Sequence, residues 1–143
     1  MNDLMSLGMH RLWKSRCVEI FNPEQKDVIL DVGSGSGDIA YELSKKNLNL
    51  ELKLLDLNKK MLDQGKKRFK NENNINFIES DAEKLDFNDN FFDKYIISFC
   101  LRNITNYKQS IKEAYRVLKP GGKYCCLEFS SPRSSIISDF YKV

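Results

Sequence analysis

The densest grouping of chemistry-bearing residues in this 143-residue chain is Asp31-Val32-Gly33-Ser34-Gly35-Ser36-Gly37-Asp38. Glycines at alternate positions allow a tight turn and let a ligand approach the backbone without meeting a Cβ, while a helix starting just beyond offers free N–H groups. A turn of this kind can also do no more than reverse the chain. Its spacing bears on which ligand it would take. A dinucleotide fingerprint needs Gly-x-Gly-x-x-Gly or Ala. Counted from Gly33 the final position is Asp38, which fails; counted from Gly35 it is Ala40, which passes. The passing register puts Asp38 at the helix start, where its carboxylate would repel a pyrophosphate seeking the same N–H groups. By the passing count a nicotinamide cofactor stays open at this step, with Asp38 against it. A phosphate-cradling Walker loop does not, because no Gly-Lys-Ser/Thr follows.

Three further sites lie where strands are expected to end. Asp56, followed by Leu57, stands nineteen residues beyond Gly37, where a carboxylate can accept hydrogen bonds from both ribose hydroxyls of an adenosine. Asp56 could instead cap the next helix, but Asn58 is equally able to do so. In Ser80-Asp81-Ala82-Glu83, Asp81 can accept from an adenine amino group while the following backbone N–H reaches a ring nitrogen. The competing role for Asp81 is a cap of a short helical turn. Ser98-Phe99-Cys100-Leu101-Arg102-Asn103 leaves the fourth strand. It lacks the Asn/Asp-Pro-Pro-aromatic tetrapeptide of enzymes that methylate a nucleobase amine, there being no proline between Pro23 and Pro120.

These segments need strands and helices to hold them. The hydrophobic period predicts a helix over 6–22 with the stripe Met9, Leu12, Trp13, Cys17 and Ile20, then a buried strand Val28–Val32. A helical face of Ile39, Ala40 and Leu43 follows, then a strand from Leu50 to Leu57 and a helix carrying Met61, Leu62, Gly65 and Phe69. Ile75–Glu79 and Phe92–Phe99 read as strands. The helix with Ile111, Ala114, Tyr115 and Leu118 is expected to run to Pro120-Gly121-Gly122, followed by a strand from Tyr124 to Phe129. Between the third and fourth strands, Asp81 to Asn90 leaves room only for a short, irregular crossover with one helical turn at Ala82-Glu83-Lys84. Strand–helix alternation makes this an α/β protein: a doubly wound, mostly parallel sheet with helices on both faces, in one domain over 1–143 with a core at 27–130.

Composition excludes other classes. With 41% hydrophobic and 30% charged residues the chain is ordinary for a folded domain, and a net charge of +3 does not imply nucleic acid. The longest nearly apolar run, Tyr95 to Leu101, is far below the roughly 20 residues that span a bilayer, and the start lacks a basic-then-apolar leader. Cys17, Cys100, Cys125 and Cys126 include no Cys-x-x-Cys, and the adjacent pair should point to opposite faces of a strand. Zinc is not expected, and a reducing compartment with mostly buried thiols is. Asn103-Ile104-Thr105 matches a glycosylation acceptor only by chance in such a compartment.

The triple Gly-x-Gly-x-Gly preceded by Asp31 resembles the first motif of class I S-adenosylmethionine-dependent methyltransferases, whose cofactor has no pyrophosphate for nearby acids to repel. The resemblance becomes closer. Met1 to Lys14 is similar to the N-terminal signature of the ubiquinone/menaquinone biosynthesis C-methyltransferases, and Arg116 to Gly122 followed by Leu127-Glu128-Phe129-Ser130 is similar to their second signature. Ile97 to Asn103 resembles the segment between, with Cys100 where many members carry glycine. The family has a Tyr-Asp pair ahead of the residues matching Met1-Asn2, continues past Val143, and builds seven strands. The resemblance therefore implies a Rossmann-like sheet truncated after its fifth strand, which would be left as an edge liable to associate.

The implied reaction moves a methyl group from S-adenosylmethionine to a ring carbon of a polyprenylated benzoquinol or of demethylmenaquinol. The implied cofactor contacts are Asp31, Gly33, Gly35, Ser36, Gly37, Asp56, Leu57, Asp81, Ala82 and Ser98. Arg102 would favour a ring phenolate, unless it is a surface or capping arginine. His10, the only histidine, is the candidate base, with a packing or lid role beside Trp13 as the alternative. Implied partners are the quinol, without nucleic acid, and a homodimer or quinone-biosynthesis complex. Lys59, Lys60, Lys66, Lys67, Arg68 and Lys70 are either a solvated helix face or a peripheral membrane contact. The place implied is the matrix face of the mitochondrial inner membrane in a eukaryote, or the cytoplasm of a bacterium. Alternatives are another small-molecule N-, O- or arsenic methyltransferase, a nicotinamide enzyme, and a non-catalytic cofactor-binding subunit.

Overall fold

The computed structural model describes residues 3–128, with side chains from Gly8 onward. Phe129 and Ser130, and the Met1-Asn2 start of the N-terminal signature, lie outside the described residues. Ten elements follow in the order α1 (Asp3–Phe21), β1 (Val28–Val32), α2 (Asp38–Ser44), β2 (Glu51–Asp56), α3 (Lys59–Arg68), β3 (Ile75–Glu79), β4 (Phe92–Ser98), a 3₁₀ turn at Leu101–Asn103, α4 (Tyr107–Val117) and β5 (Leu118–Leu127). The strands form one sheet in the order β3-β2-β1-β4-β5, with every pair parallel. The chain steps outward through β1, β2 and β3, then returns to β4 on the other side of β1. That reversal creates the crevice beyond the carboxyl ends of the strands where doubly wound sheets bind ligands.

Two cores flank the sheet. One joins Cys17, Val18 and Phe21 of α1 with Ile39, Ala40 and Leu43 of α2 and Phe69 at the end of α3. The other joins Ala114 and Val117 of α4 with Leu85 and Phe92. The bare alternation of strands and helices was enough to predict this arrangement, and strands one and three have the predicted bounds. The helix faces differ in part. Met9, Leu12 and Ile20 are 46%, 66% and 72% exposed, so of the apolar stripe predicted for α1 only Cys17 is buried and Trp13 half-buried. Among the described residues α1 packs mainly against α2 and the edge strand β5, and its buried residues are Cys17, Val18 and Phe21. On α4, Tyr115 is 85% exposed, and the buried side is Ser110, Ala114 and Val117.

The predicted helix stop at Pro120 is also corrected. α4 ends at Val117 and Leu118 is already extended, since proline disfavours helix in the residue before it and cannot donate to the ladder. The register jumps from Phe92↔Leu118 to Lys94↔Lys123, so Pro120-Gly121-Gly122 forms a bulge inside β5. Gly121 takes φ +79 there, and a Cβ on Gly122 would lie 2.8 Å from the Lys119 carbonyl oxygen.

The crossover between β3 and β4 is irregular, as expected, and Ala82-Glu83-Lys84 is a turn rather than helix. Side chains from α4 hold it in place of a helix. Glu113 accepts from the Leu85 N–H at 2.8 Å, and Arg116 donates to the Leu85 and Phe87 carbonyls at 2.8 and 2.7 Å and to Asp89 at 2.8 Å. At the amino ends of the strands, the buried pair Lys94–Asp27 and the bond from the Val28 N–H to Asp93 tie β4 to β1. Of the cysteines, Cys17 is buried, Cys100 and Cys125 are half-buried, and Cys126 is exposed, facing away from Cys125 as the strand period requires.

Candidate functional site

The glycine turn connects β1 to α2 at the crevice. Gly33, Gly35 and Gly37 all have positive φ, +68, +56 and +90, a region that side-chain-bearing residues avoid. Gly33 also has no room for a Cβ, which would sit 2.4 Å from Cys100 Sγ. Gly37 answers to packing instead, because a Cβ there would press into the Phe69 ring at 2.7 Å. Asp56, at the end of β2, fastens the turn: Oδ2 accepts from the Gly35 N–H and Oδ1 from the Asn58 N–H, both at 2.8 Å. Capping of α3 falls to Asn58, which accepts from the Met61 N–H. The Asp56 oxygens keep lone pairs for further donors.

A cavity of about 170 Å³ opens beside this turn, lined by Gly33, Asp56, Leu57, Asp81, Ala82 and Cys100 among others. Five of the ten predicted cofactor contacts therefore converge here. Asp81 also makes the local turn that was its alternative role, with Oδ1 accepting from the Glu83 N–H at 2.8 Å. Asn103, Ile104 and Thr105 line the same cavity. Sequence reasoning missed Ile104 and Thr105, because the 3₁₀ turn that folds them back carries no periodic signal.

Ser36, Ser98, His10 and Arg102 do not line this cavity. Ser36 lines a separate cavity of about 610 Å³ between α1, α2 and α3, with Arg11, Lys14, Asp38 and Arg68. Ser98 is buried within the sheet. His10 stacks on Phe99 at 4.7 Å, with Trp13 5.9 Å away, and Arg102 pairs with Glu128 at 3.7 Å. Neither His10 nor Arg102 lines the smaller cavity. Phe99 holds φ +52 as it leaves β4. The cationic run on α3 is partly engaged: Arg68 reaches Asp38 at 2.9 Å and Lys66 lies 3.8 Å from Asp63.

Asp31 is the electrostatic centre. It is 2% exposed, and neither carboxylate oxygen has a hydrogen-bond partner among the described residues. Burial pushes its pKa up to about 8; Lys14 pulls it back, and Asp56 and Asp38 push it further. Asp38 behaves oppositely. Its burial opposes ionisation, but hydrogen bonds from Arg68 and Lys14, at 2.9 and 3.0 Å, hold its carboxyl below the usual range. Sequence reasoning missed the Lys14–Asp38–Arg68 triad because its members lie on three separate helices.

The whole chain, residues 1–143, matches the ubiE/COQ5 methyltransferase family. The chain belongs to that family. It is 50% identical over 149 aligned residues to the ubiquinone/menaquinone biosynthesis C-methyltransferase of Rickettsia prowazekii, covering 99% of this chain and 60% of the relative. The corresponding Zymomonas mobilis protein is 45% identical and covers 100% of this chain and 59% of that protein. The chain thus spans about 60% of the length of these curated family members. Among solved structures, the [4+2]-cyclase SpnF superposes with TM-score 0.81 at 21% identity, over 87% of this chain and 46% of SpnF. Phosphoethanolamine N-methyltransferase 2 of Haemonchus contortus gives 0.75 at 24%, over 90% and 31%. These two likenesses show the class I methyltransferase fold.

Proposed function

We propose that this chain carries the cofactor-binding part of an S-adenosylmethionine-dependent C-methyltransferase acting on a polyprenylated benzoquinol or on demethylmenaquinol. The observation that carries the reading is the cavity where Gly33, Asp56, Leu57, Asp81 and Ala82 meet at the carboxyl ends of the strands. The donor set fits a cationic nucleoside. Asp56 has lone pairs to spare for ribose hydroxyls, and Asp81 and Ala82 line the same cavity, where they would meet an adenine edge. The family's names point to C-methylation in quinone biosynthesis. The relatives named above are bacterial, and with them we place the protein in a bacterial cytoplasm.

When bound, S-adenosylmethionine supplies an electrophilic methyl group. This chain's residues position and charge the site around it. The glycine turn, braced by Asp56, sets the line of approach, and holding the reactants collinear is worth several kcal/mol. A ring carbon becomes nucleophilic once a ring hydroxyl loses its proton. Arg102, oriented by Glu128 at the exit of β4, favours the phenolate, and His10, stacked on Phe99, is the candidate to take the proton at an imidazole nitrogen.

Calorimetric titration of this chain with S-adenosylmethionine tests the first half. Binding that Asp56→Asn weakens tenfold or more is the expected result, and no binding overturns the reading. Methyl transfer to a quinol by the full-length protein tests the second half. There Arg102→Ala should lower turnover more than cofactor affinity, and equal losses in both would make Arg102 structural.

A further inference from the structure

We propose that Cys17 and Cys125 are a modification site, a thiol pair that a peroxide converts into an intramolecular disulfide fastening α1 to β5. The two sulfurs lie 3.0 Å apart although 108 residues separate them in sequence. Cys17 is 7% exposed on the packing face of α1, and Cys125 points from β5 into the same core. Sulfurs already in contact can reach bonding distance, about 2.05 Å, through a side-chain adjustment of about 1 Å. The pair is also polarised: the hydrogen bond between them lowers the Cys17 thiol below its ordinary value and raises that of Cys125. Cys126 faces the opposite way.

The chemistry needs a small oxidant, because Cys17 is nearly enclosed; hydrogen peroxide has the right size and class. The Cys17 sulfur attacks one peroxide oxygen and the O–O bond breaks. The departing hydroxide takes a proton to become water, leaving a sulfenic acid on Cys17. The Cys125 sulfur then attacks the Cys17 sulfur and the S–O bond breaks. The second hydroxide takes the Cys125 proton. Two thiols are oxidised by two electrons, and one peroxide becomes two waters.

The site matters because α1 brings side chains to the crevice. Lys14 pairs with Asp38 at 3.0 Å and acts on Asp31, and His10 and Trp13 pack around Phe99. α1 packs mainly against α2 and β5, so a covalent bond at Cys17 fastens it to the sheet. This inference does not rest on the proposed methyl transfer.

The test uses the 143-residue chain, fully reduced and then treated with one equivalent of hydrogen peroxide. The expected product is a monomer about 2 Da lighter, with titratable thiols falling from four to two. Trypsin should release the peptide beginning at Cys17 joined to the one containing Cys125 and Cys126. A dithiol should restore all four thiols. Cys126→Ser should leave the link intact, while Cys17→Ser and Cys125→Ser should each abolish it. The oxidised chain should melt at least about 5 °C higher, as a long closed loop predicts. An unchanged thiol count, sulfinic acid without a link, a bond between Cys125 and Cys126, a disulfide-linked dimer or an unmoved melting temperature would each overturn the proposal. The peptide map of the unsubstituted chain decides the matter even if a variant fails to fold, and it requires no cofactor binding.

Discussion

A carboxyl that is 2% exposed, with no hydrogen-bond partner among the described residues, is held in its neutral form by the cost of burying an uncompensated charge. Asp31 has a pKa near 8 in the fold against 3.8 in an open chain. Between about pH 4 and pH 8, therefore, the folded chain keeps a proton that the unfolded chain has released. Stability falls as pH rises through that window, by up to about 1.4 kcal/mol per pH unit. Asp31→Asn should flatten this slope and make the chain more stable than the parent at pH 8, by about 2 kcal/mol or more. Denaturant unfolding at pH 5, 7 and 8 measures it. If a cationic nucleoside binds beside Asp31, binding at pH 7 should release close to one proton, which titration in buffers of different ionisation enthalpy detects. Asp31→Asn should remove that proton and weaken binding. Gly33→Ala has a different basis. Its Cβ meets Cys100 Sγ at 2.4 Å with φ +68, so the turn must deform, and cofactor affinity should fall at least tenfold while far-ultraviolet circular dichroism stays unchanged.

At the scale of elements, the connection between β3 and β4 has no helix to hold it, and Arg116 does that work from α4. Hydrogen bonds to two carbonyls of the crossover and to Asp89, with Glu113 alongside at 2.8 Å, anchor its guanidinium. Arg116→Ala leaves those carbonyls without their protein donor and should cost about 2–3 kcal/mol in denaturant unfolding. Lysine, which lacks the fork, should recover less than half of that. The elements also show where pattern reading ends. Met9, Leu12 and Ile20 satisfy the helical period as well as Val18 and Phe21 do, and only the latter join Cys17 in the buried core. Periodicity reports that a face exists. Which face is buried depends on the neighbour's position, and for α1 those neighbours are mainly α2 and β5.

At the scale of the molecule, the smaller cavity takes its walls from the ends of β1 and β2, the turn after β3 and the segment after β4. A ligand seated there bridges both halves of the doubly wound sheet and stabilises all of it at once. S-adenosylmethionine at about a hundredfold excess over its dissociation constant should add about 2.7 kcal/mol, read as a melting-temperature rise of several degrees. Asp56→Asn should lose most of that rise. A cofactor seated instead in the larger cavity around Lys14 and Arg68 would leave Asp56→Asn with the full shift.

The alternation of strands and helices, the glycine turn and the acids at the strand ends were all legible from residue order, because each is a local matter of period, backbone freedom or position after a strand. Residue order also carried the family resemblance over the full 143 residues. Tertiary structure alone decided that Asp31 is buried with no hydrogen-bond partner among the described residues, that Asp38 is neutralised by Lys14 and Arg68, that Ser36 and Asp56 line different cavities, and that Cys17 touches Cys125. Each of those facts depends on distances between residues far apart in the chain, set by how helices settle on a twisted sheet, and no local pattern of side chains encodes them.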